Sequence, residues 1–119
     1  MDERKKERLE AAGIDVEDAL LRFMGNEELM MRFLLRFPKD ENFEKLRQAL
    51  RAEDAGEAYT AAHTLKGVAG NLSMKGLFQQ ASAVTEELRR GDLAAAQRGM
   101  PALEDRYLQV VEVLSDGER

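Results

Sequence analysis

The chain has no cysteine and no tryptophan, and only one histidine and two prolines in 119 residues. Without cysteine it can build neither a disulfide framework nor a thiolate metal site, and one histidine leaves carboxylates as the remaining metal ligands. Zinc and thiol redox chemistry are set aside, and no metal site is expected. No apolar run approaches the ~20 residues of a membrane span. The opening MDERKKERLEAAG is densely charged with both signs and lacks an apolar signal core, so a soluble, cytoplasmic protein without membrane association is expected. Basic residues are also in deficit, 18 against 23 acidic, and the net charge of -5 argues against a nucleic-acid partner. Phosphate-backbone binding needs clustered Lys and Arg.

A chain of this length fits one domain, burying roughly two thirds of its unfolded surface around a single core. With 44% apolar and 34% charged residues and many Ala, Leu, Glu and Arg, the balance favours an all-α protein. Residues 2 to 10 hold four basic and four acidic side chains around one Leu, so 1–12 read as a charged lead-in whose order depends on docking. The domain proper is placed at 13–117.

Within it, Asp15 caps a short helix stopped by Gly25, and Asn26 caps a second that Pro38 ends. Phe43, Leu46 and Leu50 mark a third, expected to run almost in line with the second as one bent element. Asp54 and Glu57 have the spacing of a capping box for a long helix reaching about Asn71 to Ser73. Ser73 is read as the cap of the next helix, with Leu77, Ala81, Val84 and Leu88 as its stripe and Gly91 as its stop. Asp92 opens the last, where Gly99 and Pro101 predict a kink or break. Short loops favour antiparallel neighbours, so the expected architecture is an up-and-down four-helix bundle with one or two short flanking helices.

The stretch AAHTLKGVAGNL, Ala61 to Leu72, carries the histidine and, four and seven residues later, two glycines. A mid-helix glycine costs ~0.5–1 kcal/mol relative to alanine, so two of them call for a reason. At about 100° per residue, Ala58, Ala61, Ala62, Leu65, Val68, Ala69 and Leu72 share the core face. Tyr59, His63, Lys66, Gly67 and Gly70 fall on the other side. A neighbouring helix of the same domain is not needed there, so the bare strip beside His63 points to close approach by another protein. From Ala58 through Thr85 there is no Asp or Glu, while Lys66 and Lys75 are present, giving a local charge of +2 in an acidic chain. Such an island suits a phosphoryl group, which Lys66 would offset. A neutral imidazole is a nucleophile at ordinary pH, and its phosphorylated product is a phosphoramidate. Phosphoryl transfer rests on positioning and electrostatic stabilisation, and the few groups here amount to half of an active site.

These residues resemble the signature of histidine-containing phosphotransfer (HPt) domains of phosphorelays. GIDVEDALLRFMGNEELMMRFLLRF resembles the segment that precedes that signature, and GLFQQASAVTEELRRGD the helix that follows it. The resemblance implies a four-helix bundle in which His63, mid-helix and exposed, accepts a phosphoryl group from a receiver-domain aspartyl phosphate and passes it to another receiver. The receivers of hybrid sensor kinases and response regulators are the implied partners, and they would supply the acidic pocket and Mg²⁺. The domain itself would hold no cofactor, have no catalytic activity of its own and act as a monomer. Lys66 matches the lysine that steadies the phosphate, Gly67 the small residue that admits the receiver, and Gly70 a second frequent glycine. Tyr59 and Lys75 join them as expected docking residues. The chain departs from the family pattern at Ser73, where glycine is frequent. It departs again on the next helix, where a Glu or Gln often hydrogen-bonds the histidine and Thr85 is the nearest match, with Glu86 as the alternative.

Two other readings share these residues. One is a helical adaptor that binds receivers without carrying phosphate, against which the intact set of His63, Lys66 and Gly67 speaks. The other is the phospho-accepting module of a chemotaxis-type kinase, which needs a catalytic domain that these residues do not supply. An enzyme of another kind finds no nucleophile elbow, phosphate loop or zinc motif in the chain.

Overall fold

A computed structural model describes residues 1–116, so the last residue of the expected domain, 117, lies outside the described residues. The elements in order are α1 (Glu3–Ala11), α2 (Val16–Arg22), α3 (Glu27–Arg36), a 3-10 turn (Phe37–Lys39), α4 (Asn42–Arg51), α5 (Ala55–Asn71), α6 (Lys75–Arg89) and α7 (Leu93–Asp116). Among the described residues there is no strand, and one isolated bridge pairs Ile14 with Met74. Short polar side chains start five of the helices. Asp2, Asp15, Asn26, Asp54 and Asp92 each accept a hydrogen bond from the backbone N–H three residues on, at 2.7 to 3.1 Å. Each bond satisfies a donor that a helix start leaves unpaired.

Helices α4 to α7 form the bundle, with each successive pair in extensive contact and α4 meeting α7 more sparsely. Aromatic side chains close that thinner wall. Tyr107 of α7 stacks on Phe43 at 4.2 Å between ring centroids and meets Phe37 edge-on at 5.9 Å. Burial raises the Tyr107 phenol above its ordinary range, with the charges of Asp40 and Glu44 adding to the effect. Leu34, Leu46, Leu65, Leu77 and Leu103, from five different helices, are completely buried and meet in one core. On α5 the buried residues are Ala58, Ala61, Ala62, Leu65 and Ala69, the face that helical periodicity predicts, with Val68 at its half-buried margin.

Several local expectations are corrected. The charged lead-in is a helix, α1, because Leu9 and Ala12 are buried and α1 rests on α7. Three short helices, α1 to α3, therefore flank the bundle. The second and third expected helices are not continuous, since the 3-10 turn at Pro38 and residues 40–41 separate α3 from α4. Only the Asp54 half of the capping box is formed, Asp54 Oδ1 accepting from the Glu57 N–H. Helix α7 runs unbroken through Pro101. Ala96, Leu103, Val110 and Leu114 are buried on both sides of the proline, so packing on the bundle holds the two halves together despite its ~3 kcal/mol propensity penalty. Gly99 serves that packing, because a Cβ there would lie 3.1 Å from Val84 Cγ2 of α6.

Ser73 does not cap α6; Met74 occupies that position without a side-chain bond. Ser73 is buried with a left-handed backbone, φ 56°, and its hydroxyl donates to Asp18 Oδ2 at 2.7 Å. Its carbonyl accepts from the Asp15 N–H at 2.8 Å. These bonds lock the start of α2 onto the α5–α6 turn. Gly13 completes the seam: at φ 89° it lets the two backbones pass where a Cβ would sit 3.3 Å from Gly76.

The seam is pH-sensitive. The Ser73 hydroxyl, then Arg22, hold the Asp18 carboxyl below the usual carboxylate range, and Asp15 is lowered by the Asp18 N–H and by Lys75. Depressed carboxylates contribute stability that is fully present above their unfolded pKa of about 3.9 and is lost as pH falls through the folded value. Ser73→Ala is expected to lower the thermal midpoint at pH 7 and to flatten its fall between pH 5 and pH 2, as read by circular dichroism. Parallel pH profiles for the two proteins would show that Arg22 alone holds Asp18.

Candidate functional site

The site lies on the outward face of α5. His63 sits at the middle of this 17-residue helix, exposed, and among the described residues no side chain is hydrogen-bonded to it. One turn earlier, Tyr59 lays its ring alongside the imidazole with centroids 5.7 Å apart and planes 12° from parallel. The i to i+4 spacing on a helix brings such side chains together. Tyr59 is itself half-buried against the core.

The lysines part company. Lys66 is partly exposed and has no ion pair within 4.0 Å, so its ammonium is available beside His63. Lys75 binds Asp15 Oδ2 at 3.2 Å and approaches Asp18 Oδ2 at 4.0 Å. The island of +2 seen in the sequence is thus reduced to Lys66, because the fold brings the acids of α2 against Lys75. Its side chain belongs to the α2 seam.

The glycines part company as well. A Cβ on Gly67 would meet nothing within 4 Å, whereas one on Gly70 would lie 3.2 Å from two carbons of the Phe78 ring. The strip beside His63 is bare at Gly67 alone. At Gly70 the missing side chain admits a neighbour from α6, which corrects the expectation that both glycines stay open. Both border a cavity of about 490 Å³, along with Lys66, Phe78 and Arg22.

Neither residue expected to orient the imidazole reaches it. Thr85 is buried and its hydroxyl donates to the Ala81 carbonyl at 2.7 Å. The Glu86 carboxylate is gripped by Arg89 through two guanidinium nitrogens, one at 3.0 Å, and lies 3.9 Å from Arg90. Arg89 holds the Glu86 carboxyl below its usual range, with smaller contributions from Arg90 and from Lys66 across the helix pair. Glu86 is therefore close enough to Lys66 for their charges to interact, and Arg89 is the α6 side chain that sequence reasoning missed. The i to i+3 spacing of Glu86 and Arg89 was its available signal.

Among the described residues no group of three or more His, Asp or Glu is placed to hold a metal, and no helix is long and apolar enough to cross a membrane. The arrangement offers a nucleophilic nitrogen, an unpaired cation one turn away and an open approach over Gly67. It offers no second nucleophile, no acidic pocket and no base bonded to the histidine.

Searches of curated proteins and of solved structures returned no match. A family model described as "Hpt domain" matches residues 39–113, from the 3-10 turn through most of α7, which is more than half of the chain. The match begins after α3, so the likeness read in residues 13–37 lies outside it. The helical bundle, the histidine midway along α5 and the family match agree: the chain belongs to the Hpt domain family, the phosphocarrier modules of histidine phosphotransfer in phosphorelays.

Proposed function

We propose that His63 is the phosphoryl carrier, taking the group from an aspartyl phosphate of one receiver domain and handing it to the aspartate of another. The observation that carries this reading is the exposed His63 without a hydrogen bond, one turn from a glycine that faces open space. The lone pair of the unprotonated ring nitrogen attacks phosphorus, and the bond from phosphorus to the aspartyl oxygen breaks with its electron pair returning to the carboxylate. The other ring nitrogen keeps its proton. Delivery reverses these events. Lys66 offsets the charge of the bound phosphoryl group, and Gly67 leaves room for the receiver to bring its aspartate within reach.

The receiver supplies the acidic pocket and Mg²⁺, so the chain works as a carrier without catalysis of its own. Receivers of hybrid sensor kinases and of response regulators are its partners, in the cytoplasm, and it acts as a monomer. Incubation with a receiver labelled on its aspartate and with Mg²⁺ is expected to move label onto the chain in a form stable to base and lost in acid. Acid-resistant label would place the phosphoryl group on another residue type. Receiver binding without any label would make the chain an adaptor.

A further inference from the structure

His63 has no hydrogen-bond partner, yet transfer requires that the attacking nitrogen, phosphorus and leaving oxygen lie nearly in line. The nitrogen lone pair lies in the plane of the imidazole, so the orientation of that plane sets the line of attack. Something must hold the plane.

We infer that Tyr59 is the positioning residue of the reaction and fixes the imidazole plane by stacking rather than by a hydrogen bond. The inference rests on the phosphocarrier reading of His63. Its ring is nearly parallel to the imidazole, 12° apart at 5.7 Å between centroids, within the range of offset aromatic pairs. Its other flank packs against the core, so the surface it presents is anchored. The side chains of α6 that could have oriented the imidazole are engaged elsewhere, Thr85 with the Ala81 carbonyl and Glu86 with Arg89. Stacking has a chemical consequence that a hydrogen bond lacks. A hydrogen bond occupies one ring nitrogen and selects a tautomer. A neighbour lying across the ring face leaves both in-plane nitrogens uncovered, so the same imidazole can meet two different receivers without first breaking a bond.

The test compares Tyr59→Leu, which keeps an apolar side chain at the core margin but removes the flat ring, with Tyr59→Phe, which keeps the ring and removes the hydroxyl. Single-turnover transfer from a labelled receiver, at saturating receiver, is expected to slow about three- to tenfold in Tyr59→Leu and to recover in Tyr59→Phe, with receiver affinity unchanged in both. The carbon-bound ring protons of His63 should show an upfield ring-current shift in the wild type and in Tyr59→Phe that disappears in Tyr59→Leu. A wild-type rate in Tyr59→Leu, a loss confined to affinity, a Phe variant that fails to recover, or a wild-type spectrum without the shift would each overturn the inference. The resonances read the stack without any receiver. A wild type that shows the shift but takes no label overturns the carrier reading and Tyr59's part in transfer, while leaving the stack itself established.

Discussion

His63→Gln is expected to take no phosphoryl label above background from a receiver that labels the wild type fully, while keeping its helicity and its thermal midpoint. The carboxamide that replaces imidazole has no nucleophilic nitrogen, so the covalent step is removed rather than slowed. The fold should not register the change. His63 is exposed and makes no hydrogen bond, so the substitution leaves no buried group unsatisfied, and glutamine has a helix propensity slightly better than that of histidine. Receiver affinity, measured by calorimetry with an unphosphorylated receiver, should stay within about threefold, because the docking area around Gly67 and Lys66 is intact. The single histidine makes the assay clean. Acid-labile label remaining on the variant would remove His63 from the mechanism.

Gly67→Glu should raise stability and abolish docking together. A Cβ at this position meets nothing within 4 Å, so no intramolecular contact opposes the new side chain. Replacing a mid-helix glycine removes a penalty of roughly 0.5–1 kcal/mol, which for a domain of this size corresponds to a rise of about 2–5 °C in the thermal midpoint. The same side chain projects into the space a receiver must enter, and its carboxylate would face the acidic pocket that surrounds a receiver aspartate. Steric exclusion and like-charge contact together are expected to weaken receiver binding about a hundredfold. Gly67→Ala should give the same stabilisation with a smaller loss of affinity. A midpoint that rises while affinity stays at the wild-type value would place the docking surface on another face of the bundle.

Opposite behaviour is built into the neighbouring glycine. Gly70 lies on the same side of the helical wheel as His63, and from the sequence the two glycines look equivalent. They differ because Phe78, eight residues on and in the next helix, turns its ring into the gap at Gly70. Lys66 and Lys75 diverge for a similar reason. One remains unpaired, and the other is drawn to Asp15 and Asp18, which stand far from it in the chain. Sequence reading handled the helix starts at Asp15, Asn26, Asp54 and Asp92 well because a cap is a local event, settled within three residues. It failed at Ser73, whose hydroxyl looks like a cap until the 55-residue separation from Asp18 is closed by the fold. It also expected a kink or break at Pro101, where local propensity is overridden by burial along both halves of α7.

By itself the sequence determined the helical class, the absence of thiol chemistry, the nucleophile and the side of α5 on which it stands. Each depends on composition or on contacts within a turn or two of one helix, where 3.6 residues per turn already define the geometry. Only the tertiary structure decided that Gly67 is open and Gly70 filled, that Lys66 is available and Lys75 engaged, and that His63 is held by a ring and by no hydrogen bond. Those outcomes depend on side chains from α2 and α6 meeting α5, and the partner that reaches a polar or bare position first is settled by packing between helices.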